Sequence, residues 1–335
     1  MTLPQPQLPE GGDPLDSLTG LLRAAGDSLR LQVLQVLGSN SFAVQELCEV
    51  LAVRQSGMSH HLKVLARAGL VEQRREGNTI FYRRRLPTAE DESVVLHQAL
   101  LDDLDARPLA DEVAQRLAGM VARRAEQSRA FFDRHADDMA ERQDLIADFD
   151  QYGELAAEML ARALPGGGEA ALEIGPGDGR FLAWLAGRFE QVTGLDNTQA
   201  MLTHARGSVD GLQNVTLTLG EWPQAAPPRQ FDAVVLNMVL HHLPAPGDSF
   251  ISAARRLRRG GVLLVTELCR HDQAWTRDHC GDQWLGFEEA ELTGWAERAG
   301  LTLLESQFLA LRNGFQVQVR TFAHNDQSIM EPGKQ

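Results

Sequence analysis

Residues 172–180, LEIGPGDGR, set an acid at the end of a short apolar run and a glycine at every second position after it: Glu173, then Gly175, Gly177 and Gly179. Glycines so spaced let the backbone approach a ligand with no side chain between, and turns of this kind commonly hold nucleotide-type cofactors. A dinucleotide fingerprint requires Gly-x-Gly-x-x-Gly, and counting from Gly175 and Gly177 the third position is Arg180, which weighs against NAD or FAD. Later apolar runs also end in polar groups: Asp196 and Asn197 after VTGL, Glu221 and Trp222 after TLTLG, Asn237 after FDAVVL. His241 and His242 come next and supply a candidate general base.

A second chemistry lies upstream. Residues 50–86 hold eight Lys and Arg (Arg54, Lys63, Arg67, Arg74, Arg75, Arg83, Arg84, Arg85) against Glu72 and Glu76, inside a chain of formal net charge −14. One basic module in an acidic protein still attracts a polyanion locally. In SGMSHHLKVLARAGLV, Met58, Leu62 and Leu65 share an apolar helix face, leaving Gln55, Ser56, Ser59, His60 and Lys63 outward near the helix start. Small polar side chains there can reach base edges, whereas Lys63 and the hairpin arginines Arg74, Arg75, Arg83 and Arg84 suit phosphates.

Elements must position these groups. Apolar residues recur at helical spacing from Leu15 to Leu37 with a break at Gly26-Asp27, which predicts two helices; AVQELCEVLAV predicts a third, and SGMSHHLKVLARAGLV a fourth that ends at Gly69. Two β-prone arms then meet at Gly77-Asn78, a two-residue hairpin signal. Helices followed by a basic hairpin describe a winged helix-turn-helix, whose second helix enters the major groove of DNA. From Thr88 to Met159 nearly everything suits helix, with Pro108 as the main interruption and an apolar stripe through Leu109, Val113, Leu117, Met120 and Val121; it should pack, partly in a dimer interface. LPGGGEA marks a boundary, beyond which short apolar strands alternate with helical segments. That order implies a parallel sheet covered on both faces, closed by an antiparallel hairpin near Asn313-Gly314.

The expected organisation is a tail (1–14), an α+β winged helix-turn-helix DNA-binding domain (15–87), a helical connector and dimerisation region (88–150), an α/β Rossmann-like domain (151–322) and a second tail (323–335). The 335 residues are 43% apolar and 23% charged, an ordinary globular composition. Three cysteines, Cys48, Cys269 and Cys280, are odd in number and far apart, which points to a reducing compartment, the cytoplasm. The first residues lack the pattern of a signal peptide and no apolar run nears bilayer length, so no membrane partner is expected.

LLRAAGDSLRLQVLQVL, HHLKVLARAGLV and REGNTIFYRR resemble the ArsR-type winged-helix repressors over about residues 15–87. The resemblance implies a homodimer on an inverted-repeat operator in double-stranded DNA. Where metal-sensing members carry Cys-x-Cys, this chain has Cys48-Glu49-Val50; a single thiol cannot build a thiolate cage, so no metal site is expected and the sensed signal should lie elsewhere. Glu173-x-Gly175-x-Gly177-x-Gly179 resembles motif I of class I S-adenosylmethionine (SAM) methyltransferases, and that resemblance covers roughly residues 145–322. It implies a seven-stranded methyltransferase fold that takes SAM or S-adenosylhomocysteine (SAH). Glu173 would orient the ammonium end, Asp196 with Asn197 beside it would meet the ribose hydroxyls, Glu221 and Trp222 the adenine, and Asn237 would lie beside the methyl position. Trp222, Trp284 and Phe287 are candidates to line an acceptor pocket.

Some chemistries are set aside. Methylating a DNA base needs an Asn/Asp-Pro-Pro-aromatic loop after the fourth strand, and NMVLHHL has no proline. Arsenic methylation needs convergent thiolates, and only Cys269 and Cys280 are at hand. The leading expectation is a transcription regulator whose fused domain binds SAM or SAH and gates operator binding, linked to the methyl cycle. The alternatives are an active methyltransferase of a small molecule that controls its own operon, and a protein-interaction module in which neither site works.

Overall fold

The computed structural model describes residues 14–38, 40–76, 79–88, 90–135 and 138–324; the expected tails and the Gly77-Asn78 turn fall largely or wholly outside them. The chain divides into two compact units, residues 1–120 and 121–335, and the division falls inside one long helix.

In the first unit, Asp27 breaks the apolar run by capping: its side chain accepts from the Arg30 backbone N–H at 3.0 Å, separating α1 (Pro14–Ala25) from α2 (Ser28–Val36). A two-residue strand that the sequence pattern does not announce, β1 (Phe42–Ala43), leads into α3 (Val44–Leu51) and α4 (Gln55–Arg67). Gly69, at φ +69°, closes α4: the Leu70 N–H donates to the Leu65 carbonyl and the Gly69 N–H to that of Ala66, at 3.0 and 3.1 Å. β2 (Val71–Glu76) and β3 (Thr79–Arg84) follow as an antiparallel pair from Val71↔Arg84 to Glu76↔Thr79, and β1 adds to β3 at Phe42↔Tyr82. α5 (Val94–Asp105) and the first part of α6 (Asp111–His135) pack onto this module, Leu104, Val113 and Met120 sharing one core with Leu34, Leu47, Met58, Leu62 and Leu65. The early half of the expected connector is thus part of the winged-helix core.

The second unit opens with the remainder of α6, then α7 (Met139–Asp144) and α8 (Phe149–Ala163). The sheet is built from β4 (Gly168–Ile174), β5 (Phe189–Asp196), β6 (Val215–Leu219), β7 (Phe231–Asn237), β8 (Leu257–Leu268), β9 (Leu301–Ala310) and β10 (Gln316–His324). Helices α9 (Arg180–Ala186), α10 (Gln199–Val209), α11 (Pro246–Arg256), α12 (Trp275–Cys280) and α13 (Glu289–Arg298) are interleaved with the strands. The spatial order is β6-β5-β4-β7-β8-β10-β9; the first five strands run parallel, and β10 is antiparallel to both neighbours. The chain leaves β4 toward β5 on one side and returns to β7 on the other, so the carboxyl ends of β4 and β7 flank a topological switch point, where open α/β sheets place ligands.

In the wing, Arg84 turns inward: only 4% exposed, it donates through Nε to the Leu34 carbonyl and through Nη1 to Asp105 at 2.6 Å, tying β3 to α2 and α5. Arg84→Ala is expected to destabilise this unit by about 2–4 kcal/mol, because the buried guanidinium goes together with its bond to the exposed Asp105, and the Leu34 carbonyl is left without that donor. Arg83, in a partly exposed pair with Glu72, should cost under about 1 kcal/mol on the same change. Urea titration read by hydrogen exchange of the α2 and β3 amides measures both; equal effects would overturn the assignment.

Candidate functional site

The Glu173–Gly179 stretch leaves the carboxyl end of β4 and turns three times through left-handed backbone, with φ of +64°, +55° and +80° at Gly175, Gly177 and Gly179. Two of these glycines are also fixed by contact: a Cβ on Gly175 would come within 2.5 Å of Val239, and one on Gly179 within 2.5 Å of the Ala205 carbonyl. Gly177 differs, since a Cβ there would meet nothing within 4 Å; it faces the open cleft. Arg180, the residue that breaks the dinucleotide pattern, is held by Asp178 at 2.5 Å and Asp150 at 2.8 Å and lies over the Phe149 ring, pinning the turn to the start of α8.

The cleft encloses about 980 Å³ including its open mouth, and Tyr152, Glu173, Gly177, Asn237, His241 and His242 are among its lining residues. Three adjacent strands supply a polar chain at its floor: Thr266 Oγ1 donates to Asn237 Oδ1 at 2.7 Å, and Asn237 Nδ2 donates to Glu173 Oε1 at 3.2 Å. The other carboxyl oxygen of Glu173 is buried without a partner. Burial pushes this carboxyl up to about 8 against the opposing bond from Asn237.

The other expected ligand groups gather at the ends of β5 and β6. Asp196 is half-buried and accepts from the Thr198 N–H at 2.8 Å and hydroxyl at 3.1 Å; burial nonetheless lifts it to about 6. Asn197 Nδ2 lies 3.4 Å from both oxygens of Glu221, which also faces Arg129 of α6 at 3.6 Å. Trp222 is partly buried, and its indole N–H has no partner. Trp284 and Phe287, expected as candidate pocket walls, are instead core residues at 2% and 1% exposure: Trp284 donates to the Leu243 carbonyl and Phe287 packs on Trp295.

His241 and His242 sit in a short 3-10 turn after β7, both buried and both lining the cleft. Here the fold adds partners that the sequence pattern missed, because they lie 26 to 41 residues further along the chain. His241 Nδ1 is 2.6 Å from Glu267 of β8 and its Nε2 is 3.8 Å from Asp282; His242 Nδ1 is 3.3 Å from the Gly281 carbonyl and 3.8 Å from Asp282. Burial disfavours the His241 charge, but Glu267 and Asp282 outweigh it and lift the ring to about 9. Burial and the neighbouring His241 push His242 well down, and burial raises Asp282 to about 6. α6 crosses the back of this turn: Ser128 donates to the His242 carbonyl and Arg124 to that of Pro244.

On α4, the helix expected to enter the groove, Gln55, Ser56, Ser59, His60 and Lys63 are all exposed while Met58, Leu62 and Leu65 are fully buried, the facing drawn from the sequence. In the wing Arg75 is exposed and Arg83 pairs with Glu72. Arg74 and Arg84 depart from the expectation of phosphate contact: they are 1% and 4% exposed and their guanidinium groups are taken by Glu76 and by Asp105 with Leu34.

The buried Glu173 sets a pH dependence. The folded protein retains the proton up to about pH 8, whereas the unfolded chain gives it up near the ordinary value of 4.5; the stability this adds is whole below about 4.5 and is lost as pH rises through 8. Glu173→Gln is expected to raise the ligand-free Tm by several degrees at pH 8 and hardly at all at pH 4.5. Thermal melts at the two pH values check it, and an equal change at both would refute the buried-charge account.

The model of the helix-turn-helix domain family matches residues 25–74, and that of the methyltransferase domain family matches residues 172–265. The transcriptional activator HlyU of Vibrio cholerae is 45% identical over 62 residues, covering 18% of this chain and 57% of that protein. The ubiquinone biosynthesis O-methyltransferase of Azoarcus sp. (strain BH72) is 28% identical over 153 residues, covering 41% of this chain and 66% of that protein. The chain thus spans less than two thirds of the length of either relative. A solved structure of the 1,6-didemethyltoxoflavin-N1-methyltransferase of Burkholderia thailandensis, which holds SAH, shares the fold of the second unit at TM-score 0.51 and 20% identity, covering 66% of this chain and 93% of that one. One polypeptide therefore joins a helix-turn-helix domain of the ArsR type to a methyltransferase domain with a mostly parallel seven-stranded sheet.

Proposed function

We propose that the chain is a homodimeric, cytoplasmic transcription regulator that binds an inverted-repeat operator through α4 and the wing, and whose methyltransferase domain binds SAM or SAH and gates that binding. The gating rests on α6. This helix runs without a break from Asp111 to His135; Val113 and Met120 lie in the winged-helix core, while Ser128 and Arg129 reach the His242 carbonyl and Glu221. A change at the ligand cleft therefore meets a helix that is also part of the DNA-binding module. Leu15 and Leu22 on α1 and Val95 on α5 are left exposed at 62%, 52% and 80%, which supports a second copy as their cover.

The residues fit the ligand. The partnerless oxygen of Glu173 can accept from an ammonium group, Gly177 opens the turn to the aminoacyl portion, and the half-buried Asp196 suits a ribose diol. Glu221 and Trp222, whose N–H has no partner, suit an adenine, and Asn197 links Asp196 to Glu221. SAM, when bound, supplies an electrophilic methyl on its sulfonium; SAH lacks it.

A second reading, methyl transfer to a small molecule, is favoured by the histidine pair, which lines the same cleft as Asn237. In that case one of the pair would take the acceptor's proton, and His242, whose ring burial and the neighbouring His241 keep neutral, is better suited to accept it than His241, which stays protonated up to about pH 9.

Titrating a DNA fragment from upstream of the gene with the protein, in the presence of SAM, SAH or neither, tests the gating. A shift of about 5 to 150-fold in the midpoint is expected for at least one ligand, and no shift with either sinks the idea. Asp196→Ala should weaken SAH binding at least tenfold and leave ligand-free DNA affinity unchanged, while His60→Ala should do the reverse; calorimetry and fluorescence anisotropy separate the two. SAH affinity should also rise by about tenfold or more from pH 5.5 to 8, because Glu173 and Asp196 must lose protons to accept from the ligand. A flat profile would remove those two carboxylates from the ligand site.

A further inference from the structure

We infer that His241, His242 and Asp282 form a binding site for a divalent first-row transition ion, of the Zn²⁺ or Fe²⁺ type, opening on the cleft. One donor atom from each residue lies within 4.8 Å of those of the other two, and all three residues are buried. His241 Nε2 and His242 Nδ1 each stand 3.8 Å from Asp282 Oδ1. Donors on a tetrahedral ion with bonds of about 2.0–2.1 Å are about 3.4 Å apart, so these carboxylate–imidazole spacings need to close by only about half an ångström.

The surroundings are those of a ligand set rather than of a packed core. Both oxygens of Asp282 are buried with no hydrogen-bond partner of good geometry, a costly arrangement for a carboxylate. Behind His241, Glu267 takes the Nδ1–H of the ring at 2.6 Å, which leaves its Nε2 to the ion. A carboxylate in this place is what orients a metal-bound imidazole and raises its basicity. Glu267 is itself held, accepting from the His241 backbone N–H at 3.2 Å.

Two imidazoles and one carboxylate leave the ion with open positions, the arrangement of catalytic zinc and non-haem iron centres rather than of closed structural ones. His241, His242, Asn237 and Cys280 line the cleft, so an open position can face a bound oxygen-bearing molecule there. The site does not depend on the cleft taking SAM or SAH, and its binding is measurable with neither present.

The test uses the full-length protein, stripped with a chelator and titrated with Zn²⁺ alone in a competition assay, with Co²⁺ absorption reporting coordination geometry. Wild type is expected to bind about one Zn²⁺ per chain with Kd below about 1 μM and to gain thermal stability from it. Asp282→Asn and His242→Gln should each weaken binding at least 100-fold, and Glu267→Gln by about 10 to 100-fold. Apo Asp282→Asn should melt no lower than apo wild type, since it removes a buried charge, so a loss of binding there is not a loss of fold. Absence of stoichiometric binding in wild type, or equal affinity in wild type and Asp282→Asn, would overturn the site. Zinc binding that survives while SAH binding fails would leave this site standing and sink the methyl-donor reading alone.

Discussion

The second unit depends on placing a carboxyl where nothing in the chain fully answers it. Glu173 ends the central parallel strand with its side chain in the interior, one oxygen bonded to Asn237 and the other to nothing. A carboxylate so placed is costly, and the protein holds it mostly protonated up to about pH 8. Its neighbours follow from that constraint. β7 must end in a donor that reaches it, β8 must supply Thr266 to hold that donor, and the glycine turn must leave the carboxyl's free side open to the cleft. The glycine turn and the orphan oxygen are at the same switch point of the sheet, where a ligand with a cationic end would answer the carboxyl.

Elsewhere along the same cleft the fold repeats the device with different groups. Asp282 and the histidine pair are drawn together from the end of β7 and the loop after α12, and Glu267 of β8 fixes one ring from behind. Buried imidazoles and carboxylates at this density need either a proton or a cation between them. Both polar centres of the cleft thus keep buried carboxyl oxygens without a hydrogen-bond partner, which the packing of the sheet does not need.

The winged-helix unit shows the opposite use of charge. Its exposed polar face on α4 is left free of partners from the core, whereas Arg84, next to Arg83 in a run of three arginines, is turned inward to join β3 to α2 and α5. Within one short basic segment, arginines divide between surface and scaffold according to the alternation of the strand and the position of Asp105, which the run itself does not reveal.

Sequence pattern alone determined the order of elements, the inward and outward faces of α4, the ending of α4 at Gly69 and the polar groups at the ends of β4, β5 and β7, because each is set by local periodicity, capping or turn chemistry within a few residues. The two-residue strand β1, the inward turn of Arg84, the packing of Trp284 and Phe287 into the core, and the meeting of His241 and His242 with Glu267 and Asp282 were decided only by the tertiary structure. Those contacts join residues far apart in the chain, and no local pattern records which distant carboxylate will stand opposite a given ring once the sheet has closed.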